Sequence, residues 1–291
     1  MFSVCRYWLP ELNGQYWQSA AASGLSRGAS KRAVTGCSSG IGQALAQLIV
    51  ETPNRLVATA RKLDSLSSIP TSARAVKLEL DVTTITSIET ALRATLETFG
   101  RVDVVVNNAG YTLVGNTEGA TEEEARALMD TNFWGTVDVT KRALGIMQDE
   151  NPKSGGQKGG VVLNMSSMGV GWASRAAPFI TPTNYATTSL EHMAKQHPAY
   201  TDPSYPTNAL VAYMQSEQNR STWAEPSAVA AAIYQAVSRG KRIPIRVPLG
   251  HDSWGMIAKD LEDIKRNLDE LKEISVGVGD PKQLESINFL K

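Results

Sequence analysis

The sequence predicts an α/β fold, a doubly wound parallel sheet in one domain. Three observations predict it: β-prone runs alternate with helical runs, a glycine-rich turn joins the first strand to the first helix, and several apolar runs end in polar or small residues. Length alone would suggest two domains for 291 residues, but the alternation favours one. We expect a poorly ordered extension over 1–30 and a single domain over 31–291.

The glycine-rich turn runs from Thr35 to Gly42, with the sequence Thr-Gly-Cys-Ser-Ser-Gly-Ile-Gly. Glycines at this place allow a tight turn and a close backbone approach to a pyrophosphate, and the following helix presents free N–H groups to the anion. Glycine clusters also occur in ordinary turns, so the motif alone leaves that alternative open. The phosphate-binding candidates are Gly36, Ser38, Ser39, Gly40 and Gly42.

A basic pair, Arg61-Lys62, follows the second predicted strand, Arg55 to Ala60. It lies about twenty residues beyond the glycines, where dinucleotide folds contact the adenosine ribose. An acidic residue there would bind the ribose hydroxyls of NAD. The guanidinium of Arg61 instead offers a planar, positively charged donor pair to a 2′-phosphate, which favours NADP(H). The alternative is a solvated basic pair.

Five motifs stand in the order and spacing of one known family: the glycine loop, Asp81-Val82, Asn107-Asn108-Ala109-Gly110, Asn132 and Ser166-Ser167. The chain therefore resembles the short-chain dehydrogenase/reductase family. The resemblance implies a Rossmann-type fold and hydride exchange between a nicotinamide cofactor and a carbonyl or secondary alcohol. The amino-acid sequences of several segments are also similar to those of family members from fungal secondary metabolism.

The resemblance also assigns roles to individual residues. Ile41 and Asn108 would line the cofactor, and Asp81 would face the adenine. Asn132 would hold a proton-relay water. Ser167 would hydrogen-bond the substrate oxygen, and the neighbouring Ser166 is the alternative for that role. The other interpretation is a serine at the end of a strand that only caps a turn.

One departure from the family concerns the catalytic Tyr-x-x-x-Lys, which this chain lacks. In the family the tyrosine is the general acid or base, and the lysine lowers its pKa and anchors the nicotinamide ribose. Tyr185 is either that tyrosine on a stretched loop, with Ser189 in place of the lysine, or part of a later family segment in which Thr183 lies near the carboxamide. The second alignment is favoured, and it removes about 30 to 40 residues, about one helix–strand unit, after the fifth strand.

Three interpretations of function follow. The chain is an NADP(H)-dependent reductase or dehydrogenase, or a catalytically impaired binding protein or isomerase-like pseudoenzyme, or a truncated gene model of an intact reductase. The segment 171–182 resembles nothing in the family and favours the third. The loop 197–206, rich in aromatic residues and proline, suggests an apolar substrate.

Composition excludes several classes of partner. Lysine plus arginine and aspartate plus glutamate each number 29, so no net charge favours nucleic acid or an anionic membrane. No apolar run approaches the length of a membrane span. The two cysteines, Cys5 and Cys37, give no disulfide framework and no metal-ligand spacing, which favours a reducing compartment, the cytoplasm. A homo-oligomer is left open.

The C-terminal part predicts a helix that begins near Glu225, a strand from Arg242 to Val247, and a last helix. Apolar residues recur along that last helix at helical spacing, namely Ile257, Leu261, Ile264, Leu268, Leu271 and Ile274. We expect it to pack on its own domain; a helix that binds a partner is the alternative.

Overall fold

The computed structural model describes residues 29–115, 119–155, 159–166, 190–193, 201–203, 206–240, 243–244, 246–280, 282 and 285. Several residues and segments discussed above lie outside the described residues: Ser167, Thr183, Tyr185, Ser189, the segment 171–182, residues 197–200 and 204–205 of the apolar loop, and residues 1–28 of the predicted extension. The chain divides into two compact units, residues 1–249 and 250–291. Each unit is described by itself.

The first unit is built on a parallel sheet of short, apolar strands. The strands are β1 (Lys31–Val34), β2 (Arg55–Ala60), β3 (Ala75–Glu79), β4 (Val104–Asn107), β5 (Thr112–Val114), β6 (Val161–Asn164) and β7 (Leu190–His192). Five of them form a parallel sheet in the order β3-β2-β1-β4-β6. The predicted fold class is confirmed.

Helices cover both faces of this sheet. The helices of the first unit are α1 (Gly40–Val50), α2 (Ile85–Phe99), α3 (Glu122–Met129), α4 (Gly135–Gly145), α5 (Pro206–Gln215), α6 (Glu217–Arg220) and α7 (Pro226–Ser238). On one face, Leu45 of α1 and Ile233 of α7 are buried in the same hydrophobic cluster as Val34 of β1. On the other face, Ile88 of α2 and Val139 of α4 are buried in the same cluster as Ala33 of β1. Because Ala33 and Val34 are consecutive on β1, their side chains point to opposite faces, as in a doubly wound fold.

A second, two-stranded sheet pairs β5 with β7 in parallel, with Thr112 opposite Leu190 and Val114 opposite His192. The pairing continues past β7, where the Met193 N–H donates to the Val114 carbonyl at 3.0 Å. This sheet was not predicted, because each strand is three residues long and the partners are almost eighty residues apart.

The C-terminal part of the first unit agrees with the sequence in one element and differs in another. The predicted helix is present as α7, with Glu225 as its N-cap and Pro226 in its first turn. The strand expected from Arg242 to Val247 is wrong, because residues 243, 244, 246 and 247 adopt no strand. Pro244 has no N–H to contribute to a sheet. The apolar pattern arises instead because Ile243 is buried in the core beside α1 and α7.

The second unit contains α8 (His251–Glu270) and α9 (Lys272–Val276), separated by Leu271. The presence of the last helix is therefore confirmed. The expectation that its apolar stripe is buried is wrong. Five of the six apolar residues of the predicted stripe are exposed: Leu261, Ile264, Leu268, Leu271 and Ile274. Across the described part of the chain, no helix combines the length and the apolar character needed to span a bilayer.

Candidate cofactor site and active site

The glycine loop connects β1 to α1 at the point where the strand order reverses, since β1 lies between β2 and β4. Open α/β sheets bind ligands at that point. Gly36 and Gly40 adopt φ values of 70° and 58°, in the left-handed region that favours glycine. The loop is fixed to the second strand because the Cys37 N–H donates to the Thr59 carbonyl at 2.8 Å.

The start of α1 has the features of an anion site. Ser39 is the N-cap in an extended conformation, and its side chain makes no capping hydrogen bond. The first turn contains no acidic residue. The helix therefore begins with N–H groups that no side chain caps, at the positive end of its dipole. Ser38 is exposed beside it, and Ile41 is 7% exposed and packs into the core below.

Gly42 is required by the closeness of the helix to the loop. A Cβ atom at Gly42 would lie 2.3 Å from the Gly36 carbonyl oxygen and 2.4 Å from Nδ2 of Asn108. Neither distance is compatible with a side chain. The third glycine of the motif thus lets α1 start directly against the backbone of the first, as in dinucleotide-binding loops.

Asn108 and Thr35 join the end of β4 to the glycine loop. The Asn108 side-chain amide donates to the carbonyls of Thr35 at 3.0 Å and Gly36 at 3.1 Å. The Thr35 hydroxyl accepts from the N–H groups of Asn108 and Ala109, both at 3.0 Å, and lies 3.3 Å from the Val106 carbonyl as donor. Asn108 therefore shapes the loop, and Thr35 is a linking residue to which the sequence analysis assigned no role.

The two predicted contacts to the adenosine half lie at the ends of neighbouring strands. Arg61 directly follows β2 and is exposed. Asp81 follows β3, and its carboxylate accepts from the N–H of Thr83 at 2.9 Å and from the Thr83 hydroxyl at 2.7 Å. Because β2 and β3 pair in parallel, both residues lie at the carboxyl edge of the sheet. This is the edge that also carries the glycine loop.

Asn132 lies in a π-helical turn, Asp130–Trp134, between α3 and α4. Such turns occur often at functional sites. Both ends of its side-chain amide are bonded to the backbone of Tyr111: Oδ1 accepts from the N–H at 3.0 Å, and Nδ2 donates to the carbonyl at 2.7 Å. The Asn132 carbonyl accepts from the Thr136 hydroxyl at 2.9 Å. The turn and the segment after β4 are thereby tied together.

Tyr111 was not singled out in the sequence, although it directly follows the Asn-Asn-Ala-Gly motif. Burial, and then the carboxylate of Glu191, raise the pKa of its phenol, whereas the cation of Arg61 acts in the opposite direction. The phenol is therefore protonated at neutral pH.

A polar cluster lies between β4 and β6, where the sequence analysis expected only strand ends. Nδ2 of Asn107 donates to Oδ1 of Asn164 at 2.7 Å and to the Thr140 hydroxyl at 2.9 Å. The Met165 N–H donates to the Asn107 carbonyl, which continues the pairing past β6. Ser166 follows and is half-buried. This cluster fixes the backbone that leads to the predicted substrate-binding serine.

The buried thiol of Cys37 is chemically inert in this setting. Its side chain has no exposed surface, and burial raises its pKa to about 12, partly opposed by a backbone hydrogen bond from Thr59. Sγ donates to the Val34 carbonyl at 3.2 Å. Because reactivity requires the thiolate, Cys37 is a packing residue of the loop.

Comparison with known proteins identifies the family. The sequence model for short-chain dehydrogenases matches residues 32–188, a little over half of the chain. Oxidoreductase calM of Penicillium decumbens is 34% identical over 280 positions, covering 83% of this chain and 90% of that protein. An uncharacterized oxidoreductase of Schizosaccharomyces pombe is 29% identical and covers 87% of this chain and 94% of its own length.

The fold comparison agrees. A crystal structure of a short-chain dehydrogenase from Streptomyces avermitilis superposes with a TM-score of 0.66 at 28% identity, over 88% of this chain and all of that one. The chain belongs to the short-chain dehydrogenase/reductase family. It is thus an oxidoreductase of that type, and membership assigns to it a nicotinamide cofactor and a small carbonyl or alcohol substrate.

The alignment with the Penicillium relative is longer than the part of this chain that it contains. It spans 280 positions, whereas 83% of 291 residues is about 240, so about 40 positions of the alignment face gaps in this chain. That number is close to the helix–strand unit that the favoured alignment of Tyr185 removes.

Proposed function

We propose that the chain binds NADP(H) and exchanges hydride between it and a carbonyl or secondary alcohol of an apolar compound of the secondary-metabolite kind. The observation that carries the cofactor choice is Arg61, exposed directly after β2 at the sheet edge that carries the glycine loop. The substrate class is supported by the aromatic and proline residues of the loop 197–206. The cytoplasm stays the predicted compartment.

The residues at the sheet edge fit this cofactor. The uncapped N–H groups at the start of α1 suit a pyrophosphate, and the guanidinium of Arg61 suits a phosphate monoester. Asp81 is proposed to face the adenine, with Asn108 holding the loop in its binding shape. Thr183 is proposed for the carboxamide. When bound, the nicotinamide ring supplies or accepts the hydride, and the protein orients the reactants around it.

The cofactor proposal is tested by calorimetry with NADPH and NADH on the unmodified protein, on Arg61→Ala and on Lys62→Ala. A charge-assisted contact of Arg61 with the 2′-phosphate is worth about 1.5–3 kcal/mol, so Arg61→Ala should lose about ten- to a hundredfold in NADPH affinity with little change for NADH. Lys62→Ala is the matched control and should lose much less. Equal losses for both cofactors in Arg61→Ala would refute the proposed contact.

The chemistry is proposed to be slow. Ser167 is the proposed hydrogen-bond donor to the substrate oxygen, and Asn132 the residue that holds a water near it. Neither can deliver a proton as a tyrosine beside a lysine does, and a positioned acid or base typically contributes about 10²–10⁴-fold. NADPH oxidation with a panel of apolar ketones measures this. Brisk turnover that disappears in Tyr185→Phe would show that Tyr185 is catalytic.

A second candidate is a binding protein that kept the fold after losing the proton donor. Two observations favour it: no tyrosine has a lysine four positions later, and both ends of the Asn132 amide are bonded to the backbone of Tyr111. Tight NADPH binding without turnover on any ketone would support this candidate. Turnover that Ser167→Ala abolishes would support the enzyme.

The third interpretation is a truncated gene model, and the roughly 40 alignment positions without a counterpart in this chain support it. Sequencing the native transcript across codons 167–183 tests it directly. An inserted stretch that encodes Tyr-x-x-x-Lys would establish the intact reductase. A transcript identical to the present sequence would leave the first two candidates.

A further inference from the structure

The largely exposed apolar stripe along α8, which continues to Leu271 just past the end of the helix, has the spacing of a coiled-coil seam. Apolar residues alternate at intervals of three and four: Trp254, Ile257, Leu261, Ile264, Leu268 and Leu271. These are successive a and d positions of a heptad repeat, beginning with Trp254 at a. Leu261 and Leu268, two of the a residues, are 61% and 63% exposed.

The rest of the helix is polar, which makes the seam narrow. From Lys259 to Glu270 every position off the stripe is charged or asparagine. A helix that packs on a globular core shows a wider apolar face, whereas a strict a/d stripe is typical of a coiled coil. An exposed row of leucine and isoleucine on a soluble surface marks an interaction site.

Charges beside the stripe select both the partner and its direction. In the same heptad frame, Asp260 occupies a g position and Lys265 the next e position. In a parallel pair of identical helices, g of one copy faces the following e of the other, so Asp260 meets Lys265 of a second copy. In an antiparallel pair e faces e and g faces g, so Asp260 and Lys265 do not meet and their attraction is lost.

These two residues are available for such a contact. Within the described part of α8, Arg266 forms an ion pair with Asp263 on the same helix, whereas neither Asp260 nor Lys265 has an ion-pair partner among the described residues. The helix thus carries complementary charges on either side of one apolar seam.

We propose that α8 is a self-association surface, on which copies of this chain form a short parallel coiled coil. Leucine at a with isoleucine at d favours more than two copies. The seam covers about two and a half heptads, less than the three to four that sustain a strong coiled coil, so the assembly should be reversible and concentration-dependent. This surface belongs to the second unit, whereas the proposed cofactor residues belong to the first.

The test is sedimentation equilibrium of the full-length protein over a concentration series. The unmodified protein should form an assembly of two or more copies. Leu261→Asp should weaken it at least about a hundredfold, because it places a carboxylate in the seam. Val278→Asp is the matched control, since Val278 is also an exposed apolar residue but lies beyond α9. It should leave the assembly unchanged.

A charge exchange tests the parallel register. Asp260→Lys and Lys265→Asp should each weaken self-association about three- to tenfold. An equimolar mixture of these two variants should recover it, because each g–e contact between the two different chains again joins opposite charges. Circular dichroism of each variant checks that the helix content is kept.

Three outcomes would overturn the proposal. The first is a protein that stays monomeric at every concentration. The second is an assembly that Leu261→Asp leaves intact. The third is a pair of charge variants that the mixture does not rescue, which would point to an antiparallel pair or to a different partner.

Discussion

The Thr35 hydroxyl links the end of β4 to the glycine loop, and its removal is the most informative single change in this protein. Thr35→Val keeps the shape of the side chain and deletes the oxygen. The N–H groups of Asn108 and Ala109, which both donate to that oxygen at 3.0 Å, lose their partner together. The Val106 carbonyl loses a weaker contact at 3.3 Å.

The size of the effect follows from these contacts. A buried N–H left without a partner costs about 1–3 kcal/mol, and the two here are partly buried, so water recovers a share. We expect Thr35→Val to lower the free energy of unfolding by about 2–4 kcal/mol. Asn108 would also lose one of its three hydrogen bonds to the loop, so NADPH affinity should fall with stability.

Thr59→Val is the matched control. Thr59 is as deeply buried as Thr35, at 2% against 3% exposed, but its hydroxyl makes one hydrogen bond, to the Val34 carbonyl at 3.1 Å. We expect a loss of about 1 kcal/mol there. Urea unfolding followed by circular dichroism gives both values from the shift in midpoint at constant slope. Equal midpoints for the two variants would refute the linking role of Thr35.

Two further predictions concern the same loop. Gly42→Ala should cost at least about 1–3 kcal/mol and abolish dinucleotide binding, because its Cβ would lie 2.3 Å from the Gly36 carbonyl oxygen. Gly145→Ala, a helical position with nothing within 4 Å of the added carbon, should be neutral or stabilising in the same urea titration. Burial raises the pKa of Cys37 from 9.0 to about 12, so the folded protein holds a proton that the unfolded chain releases. The contribution of this thiol to the free energy of unfolding is fully present below pH 9. It is lost as the pH rises from 9 towards 12, at up to about 1.4 kcal/mol per pH unit. Urea midpoints of the unmodified protein and of Cys37→Ala across this range measure it, and parallel curves would contradict it.

Much of the sheet was predictable because its signals are local. The strand ends that carry Arg61, Asp81 and Asn108 follow from apolar runs that stop at polar residues, and in a parallel sheet such ends share one edge. The glycine loop was predictable for the same reason. Each of these signals lies within about ten residues of chain.

The parts that the sequence did not predict depend on contacts between distant segments. Thr35 and Asn108 meet only because β1 and β4 are neighbours in the sheet. The two strands of the small sheet, which end at Val114 and His192, are also far apart in the chain. For the stripe on α8 the reason is different. The spacing of its apolar residues predicted the helix, but spacing alone does not say whether those residues are buried against another part of the protein.

We propose that the glycine loop and Arg61 together form a site for NADP(H). Calorimetric titration of the unmodified protein with NADPH and with NADH tests it most directly. We expect NADPH to bind about ten- to a hundredfold more tightly than NADH, because of one charge-assisted contact to the 2′-phosphate. Equal affinities for the two cofactors, or no binding of either, would contradict it.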